Sequence, residues 1–232
     1  SVANDRVAGM IGPIGSSQVL AVQGILASAK IPMISPSATS AELTGAQGAK
    51  DRYLFRTAPS DDVQGRAVVY FALHRFESEL SDGGVSDSGA IVDSGVKDGA
   101  VDSGPADSGA PAPAAQGCKR MAVLSVDNAY GNGLAQTVKD TFVAKGGEVV
   151  IDRKVSVSVA ADYKDLVSDV LKAAPDCQVT SVYDNVGAQY MKDLKAAMAA
   201  NPTALPSTFF VVGTDGQYND GFIINARANK SD

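Results

Sequence analysis

The most constraining feature of this chain is a regular alternation of strand-like and helix-like segments. Hydrophobic, β-branched runs predict strands at residues 6–12, 31–35, 120–126, 147–155, 178–184 and 208–213. The stretches between them predict helices at residues 17–30, 62–79, 132–145, 162–174 and 187–200. Because strands that alternate with helices form βαβ units, we expect an α/β fold of Rossmann-like parallel sheets with helices on both faces.

The bulk composition argues against several classes of function. Of the 232 residues, 45% are hydrophobic and 20% are charged, an ordinary balance for a globular protein. The net charge is −6 and Lys and Arg are scattered, so we expect no nucleic-acid binding, which needs clustered positive charge. No apolar run approaches the roughly 20 residues of a membrane-spanning helix, and no secretory signal opens the chain.

Residues 81–117 differ in composition from the rest of the chain. They contain no aromatic residue, four copies of the triplet DSG, and a Pro- and Ala-rich end. Such a segment buries too little apolar surface to offset the entropy lost on ordering, so we predict a flexible, low-complexity insertion. Calcium binding by its aspartates is disfavoured, because the DSG spacings are irregular and no Glu closes a loop as in an EF-hand.

Ligand-binding residues are expected on the loops that follow the strands, because open parallel sheets bind ligands beyond the carboxyl ends of their strands. The loops to consider are residues 12–18, 35–44, 127–133, 184–188 and 213–220. No catalytic group stands out in them. His74, the only histidine, lies in a predicted helix, and motifs such as GxSxG and HExxH are absent. We therefore expect no enzyme activity, no metal site and no cofactor.

The first loop, GPIGSS at residues 12–17, is similar to a phosphate-binding loop only at first sight. A P-loop needs a lysine after its last glycine, and no lysine occurs between Val7 and Ala29. A dinucleotide-binding loop needs GxGxxG spacing and an acid after the next strand, and both are missing. Two interpretations stay open. The serines and the helix N-terminus bind a small anion such as a carboxylate, or the glycines form a tight turn and Ser16 or Ser17 caps the helix.

Three further loops carry candidate binding residues. Residues 34–44, ISPSATSAELT, form a second hydroxyl-rich loop, which either caps a helix or shares a ligand carboxylate with the first loop. Tyr130 either projects into the site or packs over its turn. Asp215 directly follows the last predicted strand, as a turn residue or as the partner of a ligand cation.

Cys118 and Cys177 lack CxxC spacing and histidine partners, which leaves a disulfide or two buried thiols.

The segments SPSATS, FRTAPSD and YGNGLA occur in this order outside the insertion. In this combination they resemble segments of the type I periplasmic solute-binding proteins of ABC transporters, and among them the leucine/isoleucine/valine-binding proteins and related extracellular ligand-binding receptors. The resemblance implies two Rossmann-like lobes that close on a ligand. It assigns residues 1–60 to the latter part of the opening segment of lobe 1, which is only partly present. Residues 61–232 would form most of lobe 2, interrupted at 81–117.

The resemblance also implies roles for individual residues. The implied ligand-binding residues are Ser16, Ser37, Ala38, Thr39, Tyr130 and Asp215. The hydroxyls of Ser16 and Thr39 would bind the α-carboxylate and α-ammonium of an amino acid, while Ser17 would cap the helix. Tyr130 would cover the ligand, and Asp215 would pair with its ammonium. Branched-chain binders commonly present an aromatic residue where this chain has DNVGAQ, residues 184–189, so the preferred ligand side chain stays open.

In functional terms the resemblance implies a non-enzymatic solute-binding component of an ABC importer that captures an amino acid, branched-chain or related, between two lobes. Its partners would be the small-molecule ligand and an ABC permease, and the protein itself would be a monomer. The location would be periplasmic or extracellular, with membrane anchoring if an N-terminal signal absent from this sequence provides it. The alternative is a ligand-binding sensor module of a signalling receptor that uses the same clamp.

The same resemblance suggests a pairing for the cysteines. Cys118 and Cys177 precede strands that the doubly wound order of lobe 2 would make neighbours. Adjacent strands lie about 4.8 Å apart, which is within reach of a disulfide. An exported setting favours the oxidised form, so we expect a Cys118–Cys177 disulfide.

Overall fold

Two separate parallel sheets form the framework of the molecule. The computed structural model describes residues 7–46, 52–74 and 117–227, and the predicted insertion at 81–117 lies outside them except for Gly117. The smaller sheet has the order β1-β2-β3, with strands β1 (Met10–Ile11), β2 (Met33–Ser35) and β3 (Leu54–Arg56). The larger sheet has the order β5-β4-β6-β7, with strands β4 (Arg120–Val126), β5 (Glu148–Val155), β6 (Cys177–Ser181) and β7 (Phe210–Gly213). Each strand pair in these ranges is parallel, which confirms the prediction from the βαβ pattern.

Five of the described helices lie between strands where the sequence predicts a helix, whereas the second and the last helix were not predicted. The described helices are α1 (Ser16–Ser28), α2 (Glu42–Gly45), α3 (Asp61–His74), α4 (Ala129–Ala144), α5 (Lys164–Ala173), α6 (Asp184–Ala200) and α7 (Asp220–Arg227), with a 3₁₀ turn at Asp215–Gln217. The last residues of the predicted helix 62–79 fall outside the described ranges. Within those ranges, no helix combines the length and the apolar character needed to cross a membrane.

Some elements differ from the sequence prediction. Strand β3 was not predicted, because three residues are too few to show a strand periodicity. Helix α4 begins three residues before the predicted start at residue 132. The reason is its cap: the side chain of Asn128 accepts a hydrogen bond of 2.9 Å from the backbone N–H of Gly131, inside what looked like a loop.

The strand order of the larger sheet determines where its helices lie. The chain passes from β4 to the edge strand β5, then returns across β4 to β6 and β7. Right-handed crossovers in opposite directions place α4 on one face and α5 and α6 on the other. Helix α3 packs against α4, and α5 packs against α6. The central strand β6 is buried throughout, as is β4 apart from Arg120 at its start.

A disulfide ties two neighbouring strands of this sheet together. Cys177 opens β6 opposite Met121 of β4, and Cys118 lies just before β4. The two Cα atoms are 5.6 Å apart and the sulfurs are bonded. This is the pairing that the sequence led us to expect. Both cysteines are buried in the main hydrophobic core, so the bond is shielded from solvent.

Among the described residues, helices cover only one face of the smaller sheet. Met33 and Leu54 face α1 and α2 and form a second core with Val19 and Leu43. On the other face, Ile11, Ile34 and Phe55 stand side by side in the strand register, and each is exposed. The carboxyl ends of these strands face those of the larger sheet across a cavity, which brings the predicted loops together.

Candidate ligand-binding cavity

A cavity of about 620 Å³ lies between the loops of the two sheets. It is lined by Ile14, Gly15, Ser16, Ser17, Gln18, Ser37, Thr39, Asn128, Tyr130, Val157, Tyr183, Asp215, Gly216 and Asn219. Five of the six residues implied as ligand-binding therefore share one cavity. The sixth, Ala38, is buried and does not line it. Of the five predicted loops, four contribute, whereas residues 184–188 do not.

In the first hydroxyl-rich loop, Ser16 and Ser17 make hydrogen bonds to different parts of the molecule. Gly12 has a φ of 99°, a conformation that favours glycine and turns the chain after β1. Ser16 is buried, and its Oγ accepts a hydrogen bond of 3.2 Å from the backbone N–H of Ser40. Ser17 was expected to cap α1, and this is wrong. Gly15 occupies the cap position, and Ser17 Oγ instead accepts a bond of 3.2 Å from the N–H of Ala129 at the start of α4.

The second hydroxyl-rich loop is fixed against the first. Ser35 Oγ donates to the carbonyl of Pro13 at 2.6 Å, and Ser37 Oγ donates to the carbonyl of Ile14 at 3.0 Å. Arg56 at the end of β3 donates to the carbonyl of Thr39 at 2.9 Å. These side-chain bonds join the two loops into one surface, as expected for loops that follow neighbouring parallel strands.

Tyr130 and Asp215 form a connected pair on the opposite side of the cavity. The Tyr130 hydroxyl donates to Asp215 Oδ1 at 2.8 Å and accepts from the N–H of Gly216 at 3.1 Å, and it lies 2.8 Å from the Thr214 hydroxyl. Burial raises the pKa of Tyr130 well above its ordinary value, so the phenol is neutral. The ring packs over its turn, and its hydroxyl orients the exposed carboxylate of Asp215.

Tyr183 is a cavity residue that the sequence prediction missed. It lies two residues after the end of β6, stacks on Tyr130 with ring centroids 5.6 Å apart, and accepts a hydrogen bond of 3.0 Å from the Asn128 side chain. Val186 and Gly187, in the segment where an aromatic residue was sought, are buried in the first turn of α6 instead. Its position in the sequence could have indicated this role, because Tyr183 lies near the carboxyl end of β6, one residue before the predicted loop 184–188.

Asn128 and Tyr183 mark the point where the order of the larger sheet reverses. They follow β4 and β6, which are neighbours, while the connections from these strands leave in opposite directions. Open α/β sheets bind ligands in the crevice at such a switch point. The cavity therefore lies where the topology favours binding. It offers hydroxyls and a helix N-terminus on one side, and a carboxylate and aromatic rings on the other.

Comparison with known proteins agrees with this architecture. The model of the periplasmic binding protein family matches residues 1–216. The Leu/Ile/Val-binding protein BraC3 of Rhizobium johnstonii is 23% identical over 236 residues, which cover 99% of this chain and 52% of that protein. A leucine-binding protein from Thermotoga maritima superposes with a TM-score of 0.64 at 18% identity, covering 97% of this chain and 49% of its own. A solute-binding protein of an ABC transporter from Rhodopseudomonas palustris, in complex with benzoate, gives 0.64 at 17% identity, covering 99% and 48%.

This chain thus spans about half the length of the relatives it matches. The structural matches are remote in sequence and show the fold, which is that of type I periplasmic binding proteins. The family model covers nearly the whole chain, including both sheets and every residue that lines the cavity except Asn219. The chain belongs to the periplasmic binding protein family.

Proposed function

We propose that this protein is the solute-binding component of an ABC importer and captures an amino acid in the cavity between its two sheets. One observation carries the proposal: a single cavity collects the hydroxyls of Ser16, Ser37 and Thr39 from one side and the Tyr130-oriented carboxylate of Asp215 from the other. An amino acid presents the complementary pair of charges, a carboxylate and an ammonium. Relatives that bind leucine or Leu/Ile/Val support the same class.

Each side of the cavity suits one end of such a ligand. Hydroxyls and the N–H groups at the start of α1 bind a carboxylate without a full counter-charge. Asp215 would pair with the ammonium in a charge-assisted hydrogen bond. The stacked ring of Tyr183, with Ile14 and Val157, offers apolar surface for the ligand side chain.

The two sheets would belong to the two lobes of the family fold, with residues 1–60 in lobe 1 and 61–232 in lobe 2. The packing of α3 on α4 supports a boundary before α3. On this proposal the protein works without catalysis, outside the cytoplasmic membrane, and delivers its ligand to a permease.

A second class of ligand has support from particular relatives. Solute-binding proteins of Rhodopseudomonas palustris were solved with benzoate and with 4-hydroxybenzoate. Both of these ligands have a carboxylate, as an amino acid does, and an aromatic ring, but neither has an ammonium group. They would therefore leave Asp215 without a cationic partner. The requirement for the ammonium group therefore separates the two classes.

A titration monitored by ¹H–¹⁵N NMR spectra of the labelled chain tests the proposal. Leucine, valine, phenylalanine, benzoate and 4-hydroxybenzoate are added singly to millimolar concentration, so that weak binding is detected. We expect an amino acid to shift the resonances of Ser16, Thr39 and Gly216 in a saturable manner. If no compound shifts cavity resonances while the spectrum is that of a folded protein, the proposal is wrong.

A pair of variants connects binding to the cavity. Asp215→Asn removes the carboxylate without changing its size, and we expect affinity for the amino acid to fall at least tenfold, because the ammonium loses its charged partner. Asp165→Asn removes an exposed carboxylate from the first turn of α5 and should leave affinity unchanged. Equal affinities of the two variants would contradict the role of Asp215.

A further inference from the structure

Asn128 and Tyr183 form a hydrogen-bonded pair in the wall of the cavity, and both residues are half-buried. The oxygen of the Asn128 side chain is used within the protein, because it accepts the bond from Gly131 that caps α4. The amide nitrogen of Asn128 donates one N–H to the Tyr183 hydroxyl at 3.0 Å. The hydroxyl is therefore the acceptor in this pair, and its own proton is not used in it.

The pair keeps two donors that have no acceptor among the described residues, namely the second N–H of the Asn128 amide and the O–H of Tyr183. Capping of α4 does not explain them, because a cap needs only a side-chain oxygen, which aspartate or serine would also supply. The two donor atoms are 3.0 Å apart, so one acceptor oxygen can reach both. A carbonyl oxygen, with two lone pairs, is an acceptor of this kind.

The pair lies apart from the carboxylate proposed to bind the ligand ammonium. Strand β6 separates β4, which precedes Asn128, from β7, which precedes Asp215. The ends of β4 and β7 are therefore about 10 Å apart. Next to Asn128, the N–H of Ala129 donates to Ser17 Oγ, so the pair lies where the two sides of the cavity meet. A ligand whose ammonium is at Asp215 and whose carboxylate is at the hydroxyls of the other side presents its side chain to the pair.

We propose that the Asn128–Tyr183 pair binds the side chain of the ligand and selects an amino acid whose side chain ends in a carboxamide. The inference rests on the proposed function and deepens it, because it names the class of side chain. The ring of Tyr183 would pack on the side-chain carbons, while its hydroxyl and the Asn128 amide would both donate to the carboxamide oxygen.

The charges of the cavity favour a neutral side chain over an acidic one. None of the described residues that line the cavity is Lys, Arg or His, and the cavity already holds the carboxylate of Asp215. A second carboxylate on the ligand would therefore lose water without gaining a cation. An apolar side chain would also bind less well, because it removes water from the two donors and offers them no acceptor.

Calorimetric titration of the chain with two matched pairs of ligands tests the inference. Asparagine and leucine are similar in shape and differ in the carboxamide, and the same holds for glutamine and methionine. In at least one pair, we expect the carboxamide ligand to bind more tightly than its apolar partner by about tenfold or more. Glutamate should bind more weakly than glutamine.

A pair of variants connects this preference to the hydroxyl of Tyr183. Tyr183→Phe removes the hydroxyl and keeps the ring, so we expect the preference for the carboxamide to fall by about threefold or more. Tyr70→Phe is the matched control, because it removes a hydroxyl from an exposed position on α3 that does not line the cavity. The control should keep the wild-type preference.

The outcomes distinguish the inference from the function on which it rests. If neither these ligands nor the amino acids of the NMR titration bind, the proposed function fails and the inference fails with it. If an amino acid binds but neither carboxamide is preferred to its apolar partner, the function stands and the inference is wrong. The inference is also wrong if Tyr183→Phe keeps the wild-type preference, or if glutamate binds more tightly than glutamine.

A second measurement uses the wild-type chain and does not depend on the folding of a variant. In ¹H–¹⁵N spectra, the side-chain NH₂ resonances of Asn128 should shift on saturation with the preferred carboxamide. With its apolar partner they should stay near their positions in the free protein. Equal shifts with the two ligands would overturn the inference.

Discussion

At the scale of single residues, the structure distinguishes functions that the sequence left open. Tyr130 was expected either to project into the site or to pack over its turn. The ring is buried over the turn, and the hydroxyl still reaches the cavity wall, where it bonds to Asp215 and Gly216. Ser17 differs more, because its partner is the N–H of Ala129 on another helix. Such partners are distant in the chain, and no local pattern indicates them.

The hydroxyl of Tyr130 provides a direct test of this network. In Tyr130→Phe the N–H of Gly216 loses its acceptor and the network loses its central atom, so the free energy of unfolding should fall by about 1–3 kcal/mol. Urea denaturation followed by circular dichroism measures the change. Tyr70→Phe, at an exposed position on α3, should change it by less than about 0.5 kcal/mol. Equal effects of the two substitutions would show that the network contributes nothing to stability.

Asp61, the buried first residue of α3, should make stability depend on pH, because burial raises the pKa of its carboxyl to about 7. The folded protein holds a proton on this carboxyl up to a pH of about 7, whereas the unfolded chain loses it near the ordinary value of 3.8. The folded state therefore binds more protons across this window, and the free energy of unfolding falls as pH rises from about 4 to 7. At about 1.4 kcal/mol per pKa unit, the loss approaches about 4 kcal/mol.

Urea titrations at pH 4.5, 6 and 8 measure this effect. Asp61→Asn should be more stable than wild type at pH 8, and the difference between the two should shrink as pH falls. Asp62→Asn should follow the wild-type profile, since that carboxylate is exposed. A constant difference between Asp61→Asn and wild type over this range would contradict the burial argument.

At the scale of elements, the strength of the local pattern decided what could be predicted. The long strands β4 and β5 were predicted within one residue of their observed bounds, and the long helices α4 and α6 were predicted with starts three residues too late, because each element shows several periods of its pattern. Strand β3 and helix α2 are too short to show one. The loops that carry the site followed from the βαβ order alone, since the carboxyl ends of parallel strands meet. Tyr183 was the exception. The predicted strand 178–184 included it, whereas β6 ends at Ser181, so its place in a cavity loop could not be predicted.

The start of α4 depends on close packing against β4. A side-chain carbon at Gly131 would collide with the carbonyl oxygen of Val126. We therefore expect Gly131→Ala to lower the melting temperature, with a cost of about 1–3 kcal/mol, because the helix must shift away from the strand. The shift would also displace Asn128 and Tyr130 from the cavity.

The matched control for this substitution is Gly24→Ala within α1. That position has no atom within contact distance, so alanine should stabilise the helix by up to about 1 kcal/mol. Differential scanning calorimetry of both variants measures the two effects. If the two substitutions changed stability in the same direction, the packing argument for Gly131 would be wrong.

At the scale of the whole molecule, the disulfide closes a large part of the larger sheet. Cys118 and Cys177 are 59 residues apart in the chain, and the segment between them contains β5 and helices α4 and α5. In the loop-entropy model, a closed loop of this length stabilises the folded state by about 4 kcal/mol.

We expect the chain with both cysteines replaced by alanine to unfold at lower urea concentration than the oxidised wild type. A reducing agent should lower the wild-type midpoint without moving that of the variant. An unchanged wild-type midpoint after complete reduction would contradict this estimate.

In the proposed complex, one ligand contacts both sides of the cavity at once. Isotope-filtered NOE spectra of the labelled chain with an unlabelled amino acid measure this directly. We expect NOEs from the same ligand to the Thr39 methyl group on the smaller-sheet side and to the Tyr183 ring on the larger-sheet side. NOEs to one side only, or to Met198 and Phe222 in the separate apolar cavity beside α7, would contradict it.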